Sequence, residues 1–202
     1  MTTEKRFKIN EIFYSLQGEG RHSGEAATFV RFSGCNLKCP FCDTRHEDGV
    51  EMTVDEILAR VAGNPAKLVV LTGGEPSLWA TPELIEVLHE AGKYVAMETN
   101  GTHPIPHGVD WITFSPKCGM AHGADKLADF TANEIKVVDV GQPLEAYFTM
   151  HQRASATLMY LQPCFVADER EYAANVRRTV GRVLADPRWR LSAQLHRYLQ
   201  IP

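Results

Sequence analysis

Three scarcities in this sequence each exclude a class of protein. No apolar run approaches the roughly 20 residues that span a bilayer, and the stretch from Met1 to Asn10 is too polar for a secretory signal. The expected location is the cytoplasm, with no membrane partner. Basic clusters are missing too: 21 Lys and Arg are interspersed with 25 Asp and Glu for a net charge of -4, so nucleic acid is not expected as a partner. Cysteine is sparse and odd in number, at Cys35, Cys39, Cys42, Cys118 and Cys164. In a reducing compartment structural disulfides explain such a set poorly, and metal ligation explains it better.

What is present suits one buried core. A chain of 202 residues that is 44% hydrophobic, without internal repeats or low-complexity linkers, is expected to form a single domain over residues 1–202. Short apolar runs at Ala27–Phe32, Leu68–Leu71, Tyr94–Met97, Trp111–Phe114, Glu134–Val138 and Thr157–Leu161 predict six strands. A run as continuous as Leu68-Val69-Val70-Leu71 suits parallel strands covered on both faces.

Three helices have readable ends. Thr53 and Glu56 form a capping box ahead of an apolar stripe at Val54, Ile57, Leu58 and Val61. Thr81 caps a second helix, with Pro82 in its first position, Leu84, Val87, Leu88 and Ala91 on one face, and Gly92 as its stop. Asp168, with Glu171 three residues on, starts a third through Tyr172, Val176, Thr179, Val180 and Val183, outside the strand series. The stretch Lys117–Phe130 has no clear period and reads as a loop or a worn-down crossover. The expected fold class is α/β, a partial parallel (β/α) barrel of about six strands. Four strands run into polar ends, Thr72-Gly73-Gly74-Glu75, Glu98-Thr99-Asn100, Ser115-Pro116-Lys117 and Gln162-Pro163, and in such barrels those ends converge on the site.

The strongest chemical signal follows the first expected strand, Ala27–Phe32. Cys35-Asn36-Leu37-Lys38-Cys39-Pro40-Phe41-Cys42 places three thiols on one loop. Iron-sulfur clusters usually take four cysteines, so three leave one iron open to a substrate or cofactor. Buried free thiols or a zinc knuckle are the alternatives, and zinc would need a fourth ligand such as His46.

This Cys-x3-Cys-x-Phe-Cys spacing, joined to Gly73-Gly74-Glu75-Pro76 after the next strand, resembles the radical S-adenosylmethionine superfamily. The resemblance implies a 4Fe-4S cluster on Cys35, Cys39 and Cys42, whose open iron takes the amino and carboxylate groups of S-adenosylmethionine. It implies further cofactor contacts from Phe41, Cys42 and Asp43 along the adenine, from Gly74, from Ser115, Pro116 and Lys117, and from Gln162, Pro163, Cys164 and Phe165. Gly73 and Gly74 would let a ligand lie against bare backbone.

A narrower resemblance covers nearly the whole chain. Ser15-Leu16-Gln17-Gly18-Glu19-Gly20, Phe29-Val30-Arg31-Phe32, Phe41-Cys42-Asp43-Thr44, Glu98-Thr99-Asn100-Gly101 and the closing Pro202 look like the 7-carboxy-7-deazaguanine synthase family. That implies a lyase converting 6-carboxy-5,6,7,8-tetrahydropterin to 7-carboxy-7-deazaguanine and ammonia, on the route to queuosine and other 7-deazapurines. Reductive cleavage of S-adenosylmethionine would give a radical that takes hydrogen from C6 of the pterin, and the ring then contracts.

In that family's terms Leu16, Gln17, Gly18, Arg31, Thr72 and the Pro202 carboxylate would contact the pterin, and Thr44 would ligate Mg2+. Each residue has a plainer reading beside it. Gln17 to Gly20 reads as a turn, Arg31 as an exposed strand charge, Thr44 as a turn-closing hydroxyl and His196 as a packed histidine. The resemblance also implies a homodimer and an external electron donor such as flavodoxin. A glycyl-radical-enzyme activase and a non-catalytic zinc-binding module are the rival readings of the cysteine loop.

Overall fold

In the computed structural model, residues 5–44, 46–151 and 158–202 are described. Their order is β1 (Phe7–Leu16), β2 (Ala26–Phe32), β3 (Val50–Met52), α1 (Val54–Ala62), β4 (Leu68–Gly73), a 3-10 turn (Pro76–Leu78), α2 (Pro82–Glu90), β5 (Tyr94–Thr99), β6 (Trp111–Phe114), β7 (Glu134–Asp139), α3 (Glu145–His151), β8 (Leu158–Pro163), α4 (Glu169–Ala185), β9 (Arg190–Leu191) and α5 (Leu195–Leu199). The strands form one mixed, mostly parallel sheet in the order β3-β1-β2-β4-β5-β6-β7-β8-β9. From β2 through β4 to β9 every pairing is parallel, and β1 is antiparallel to both β2 and β3.

The six expected strands are all present as β2 and β4–β8, and the partial parallel barrel holds. Of the expected sixth strand, Thr157 lies outside the described residues. The expected helices are present with their caps. Thr53 and Glu56 close the reciprocal box, the Thr81 side chain accepts from the Leu84 N–H, and Asp168 accepts from the N–H groups of Arg170 and Glu171. Lys117–Phe130 is a series of turns, as a loop should be. One placement is corrected: α4 does not lie outside the strand series, because β9 follows it and pairs parallel to β8, making α4 a crossover helix.

Period-2 alternation divides each strand between two faces. On the outer face Val30 and Phe32 of β2, Val69 and Leu71 of β4, and Val95 and Met97 of β5 pack against Ile57 and Val61 of α1 and Leu84, Ile85 and Leu88 of α2. A second outer core joins Phe114, Ile135, Val137 and Leu161 to Tyr147 of α3 and to Trp189. On the inner face Ala27, Phe29, Leu68, Val70 and Ala96 make an apolar plug. One step further along the same strands, towards their C-terminal ends, Arg31, Thr72 and Glu98 line a cavity instead, joined by Lys136 and Val138 of β7. The helices therefore hold the sheet from outside, and the strand ends supply the chemistry inside.

Two segments far apart in sequence close the open side of the barrel. The loop after β1 meets the segment after β9: the Gly20 N–H donates to Ser192 Oγ at 3.1 Å and the Leu195 N–H donates to the Gly18 carbonyl at 3.1 Å.

Candidate active site

The polar strand ends converge as expected. A cavity of about 370 Å³ is lined by Leu16, Gln17, Gly18, Arg31, the three loop cysteines, Phe41, Asp43, Thr44, Thr72, Gly74, Ser115, Lys117, the stretch Gln162 to Phe165, and Pro202. Pro116 alone among the expected residues does not line it and is buried in the turn after β6.

Cys35 and Cys39 are partly buried and Cys42 is exposed. Burial pushes the Cys35 and Cys39 thiols up from their usual range. Among the described residues no three His, Cys, Asp or Glu side chains are gathered tightly enough to hold a single metal ion. The loop is anchored by Leu37, which is buried, and by a chain of polar contacts from the end of β5. Asn100 Nδ2 donates to Asn36 Oδ1 at 3.1 Å, Asn36 Nδ2 donates to Thr102 Oγ1 at 2.6 Å, and Asn100 Nδ2 stands 3.9 Å from Cys35 Sγ. Three soft thiol donors on one loop, beside an open cavity, fit a cluster that needs one free iron. Cys118 points elsewhere, its Sγ 3.4 Å from the Ala124 carbonyl.

Gly73 and Gly74 line the cavity, and a second reason for glycine there lies in the protein itself. A Cβ on Gly73, where φ is +122°, would stand 2.3 Å from the Phe32 carbonyl, and one on Gly74 would stand 1.9 Å from the Gly34 carbonyl. Both would strike the protein's own backbone at the root of the cysteine loop, so the close approach is between β4 and that loop. The Glu75 carboxylate is likewise turned inward, only 1% exposed. It accepts from the Ser77 N–H (3.1 Å) and Oγ (2.7 Å), Thr99 Oγ1 (2.7 Å) and the Asn100 N–H (2.7 Å). Glu75→Ala would leave buried donors without partners and is expected to lower stability by about 3 kcal/mol, measured by urea denaturation.

The remaining walls carry charge. Lys117 Nζ donates to Ser115 O at 2.7 Å and Oγ at 2.6 Å, and burial lowers its pKa. Arg31 Nε donates to Glu11 Oε1 at 2.7 Å, so its guanidinium borders the cavity already paired with an exposed carboxylate. Arg197 of α5 donates to Asp43 Oδ2 at 2.5 Å and lies 3.3 Å above the Phe165 ring, tying α5 to the cysteine loop and to the end of β8. Ser15 Oγ donates to the Pro202 carbonyl at 2.8 Å. Thr44 Oγ1 lies 3.4 Å from Asp43 Oδ1.

Sequence reasoning expected Glu98 at the site as part of a polar strand end but gave it no contact, and it assigned no role to Glu19, Lys136, Gln194 or Arg197; all five line the cavity. Lys136 had a readable signal: a lysine between Ile135 and Val137 in a strand read as covered on both faces demands a buried partner.

Comparison with known proteins agrees with this arrangement. The sequence pattern of the Radical SAM superfamily matches residues 29–153. A 7-carboxy-7-deazaguanine synthase of Bacteroides thetaiotaomicron is 52% identical, over 96% of this chain and 98% of its own. One from Nitratidesulfovibrio vulgaris is 39% identical, over 97% and 99%. The crystal structure of QueE from Escherichia coli superposes with a TM-score of 0.76 at 29% identity, covering 94% of each chain. Fold and site thus define a radical SAM enzyme, a class that works with a 4Fe-4S cluster and S-adenosylmethionine. Within that class, the chain belongs to the 7-carboxy-7-deazaguanine synthase family.

Proposed function

We propose that the chain is a carbon-nitrogen lyase that converts 6-carboxy-5,6,7,8-tetrahydropterin to 7-carboxy-7-deazaguanine and ammonia, for queuosine or another 7-deazapurine. The observation that carries this reading is the meeting, in one cavity, of the cysteine loop with Leu16, Gln17, Gly18, Arg31 and Pro202. Identity of 52% to a synthase over nearly its full length supports it. The activase and zinc-module alternatives have no comparable support.

Cys35, Cys39 and Cys42 would hold the cluster. Phe41, Asp43, Gly74, Ser115, Pro116, Lys117 and the stretch Gln162 to Phe165 would hold S-adenosylmethionine, with Pro116 acting through the shape of its turn. When bound, the reduced cluster and S-adenosylmethionine supply the hydrogen-abstracting radical. The chain's own task is to orient the pterin and exclude water. Arg31 faces the cavity with donors for an anionic edge, Thr72 adds a hydroxyl, and the C-terminal segment brings Pro202 to the mouth. Thr44 offers a hard oxygen for Mg2+, which keeps most of its waters and needs few protein ligands. The enzyme would work as a cytoplasmic homodimer fed by a small electron donor such as flavodoxin. No helix among the described residues is long and apolar enough to cross a membrane.

The test is anaerobic. Protein reconstituted with iron and sulfide is mixed with dithionite, S-adenosylmethionine and 6-carboxytetrahydropterin, and the product is followed by mass. A carboxylated deazapurine with loss of ammonia is expected. Cleavage of S-adenosylmethionine without that product would overturn the substrate assignment.

A further inference from the structure

Below the cysteine loop, three charged side chains from three separate segments meet on the inner face of the barrel. Lys136 of β7 is 3% exposed, at a depth where lysine is rare unless paired. Its Nζ forms ion pairs with Glu19 of the loop after β1 and, at 2.9 Å, with Glu98 Oε2 of β5. Amides complete the frame. Gln162 and Gln194 donate to Glu19 Oε1 at 3.0 and 2.9 Å, Gln17 Nε2 donates to Glu98 Oε1 at 3.0 Å, and the Glu19 N–H donates to Gln17 Oε1 at 3.1 Å.

The lone pairs left unused on the two carboxylates set what this frame offers a ligand. Glu19 Oε1 already has two donors, whereas Glu19 Oε2 and both oxygens of Glu98 have one each. Spare capacity is therefore for accepting hydrogen bonds, and most of it sits on Glu98, the more open carboxylate at 22% side-chain exposure against 14% for Glu19. Two carboxylates against one ammonium leave one surplus negative charge facing the cavity. Such a wall suits a neutral heterocycle bearing several N–H groups.

We propose that Lys136 is a positioning residue that keeps the Glu19–Glu98 pair ionised and aimed as an acceptor wall for the N–H groups of the substrate heterocycle. The inference rests on the pterin reading above. Without the ammonium the two carboxylates would face each other, and like charges at that range force one of them to hold a proton near neutral pH. A protonated carboxyl loses an acceptor site and presents a donor to a donor. In the intact site Lys136 holds Glu19 down at about 2 despite burial that would raise it. The two carboxylates hold Lys136 above its ordinary range despite burial that would lower it.

The other charged groups around the trio do not replace Lys136. His196 of α5 faces both carboxylates, but burial lowers its pKa. Lys117 faces Glu98 and Lys136 from the turn after β6, is likewise lowered by burial, and is spent on Ser115. Glu134, one step below on β7, is raised by burial and held by Thr113 and the Arg21 N–H. Arg197 and Asp43 pair with each other, and Glu75 is enclosed by its own donors.

The experiment measures KM for 6-carboxytetrahydropterin on the reconstituted enzyme across about pH 6 to 8.5, with S-adenosylmethionine affinity followed in parallel. Wild type is expected to give a flat KM. In Lys136→Met, KM should rise about tenfold or more at the acid end and recover as pH rises, because the acceptor form is lost as pH falls through the raised pKa. S-adenosylmethionine affinity should stay put. The double variant Lys136→Met/Glu19→Gln removes one charge of each sign, keeps the surplus on Glu98, and should return a flat profile. If Lys136→Met does not fold, that double variant carries the test, and a KM that still climbs towards low pH overturns the inference. A pH-independent KM in Lys136→Met overturns it as well while leaving the pterin reading intact. Wild-type enzyme that binds no pterin at any pH overturns both.

Discussion

Alanine at Cys35, Cys39 or Cys42 is expected to abolish cluster reconstitution and to cut deazapurine formation by at least about 100-fold, with the fold intact. Two features make the outcome this selective. The loop is held by buried Leu37 and by the Asn36–Asn100–Thr102 contacts, and of the three thiols only Cys35 adds to them, accepting from the Leu37 N–H at 3.4 Å and standing 3.9 Å from Asn100 Nδ2. Cys35 and Cys39 are only partly buried and Cys42 is exposed, so the thiols add little to the core and the melting temperature should move by less than about 4 °C. Serine at Cys118 or Cys164 is the control. Cys118 is bonded to a turn carbonyl, and Cys164 Sγ lies 3.7 Å from the Phe165 carbonyl at the cavity wall. Both variants should reconstitute. Visible absorbance of the anaerobic protein decides the matter, and a Cys39→Ala protein that still binds a full cluster would mean that another ligand replaces it.

Gly74→Ala should be as damaging by a different route. The new methyl would lie 1.9 Å from the Gly34 carbonyl oxygen and 2.4 Å from its carbon. Both are backbone atoms that cannot rotate aside as a side chain would. Two hydrogen bonds fasten this junction, from the Gly74 N–H to the Phe32 carbonyl at 3.0 Å and from the Glu75 N–H to the Gly34 carbonyl at 2.9 Å. Relieving the clash means opening one of them and moving the root of the cysteine loop. We expect about 3 kcal/mol of destabilisation in urea titration, together with loss of S-adenosylmethionine cleavage. Wild-type stability and cleavage in this variant would show that the junction can yield.

Much of this was legible from residue order. The parallel strands announced themselves because both faces of β4 and β5 are buried, leaving continuous apolar runs such as Leu68 to Leu71. The polar strand-end motifs predict the position of the cavity, because parallel strands of one barrel deliver their C-terminal ends to one face. What went unread has identifiable causes. In β1 the pairing with β2 shifts between Ile9 and Glu11, which breaks the alternation that would have betrayed a strand. β3 and β9, of three and two residues, are too short to show a period. Helix α3 is a short element, Glu145–His151, and α5 spans only Leu195–Leu199 with no side-chain cap at its start that sequence could flag. Lys136, Glu19 and Gln194 belong to segments with no shared motif, and only folding makes them neighbours.

The seam that closes the barrel also sets an order of events. Its bonds join residues 172, 175 and 187 positions apart, Gly20 to Ser192, Gln194 to Glu19 and Ser15 to Pro202. Contacts of such separation demand that nearly the whole chain be ordered before they form. During synthesis the sheet from β1 to β8, with Glu98 and Lys136 on it, can assemble while the seam still waits for residues inside the ribosome, so the Gln194 bond to Glu19 is among the last contacts of the carboxylate wall to form.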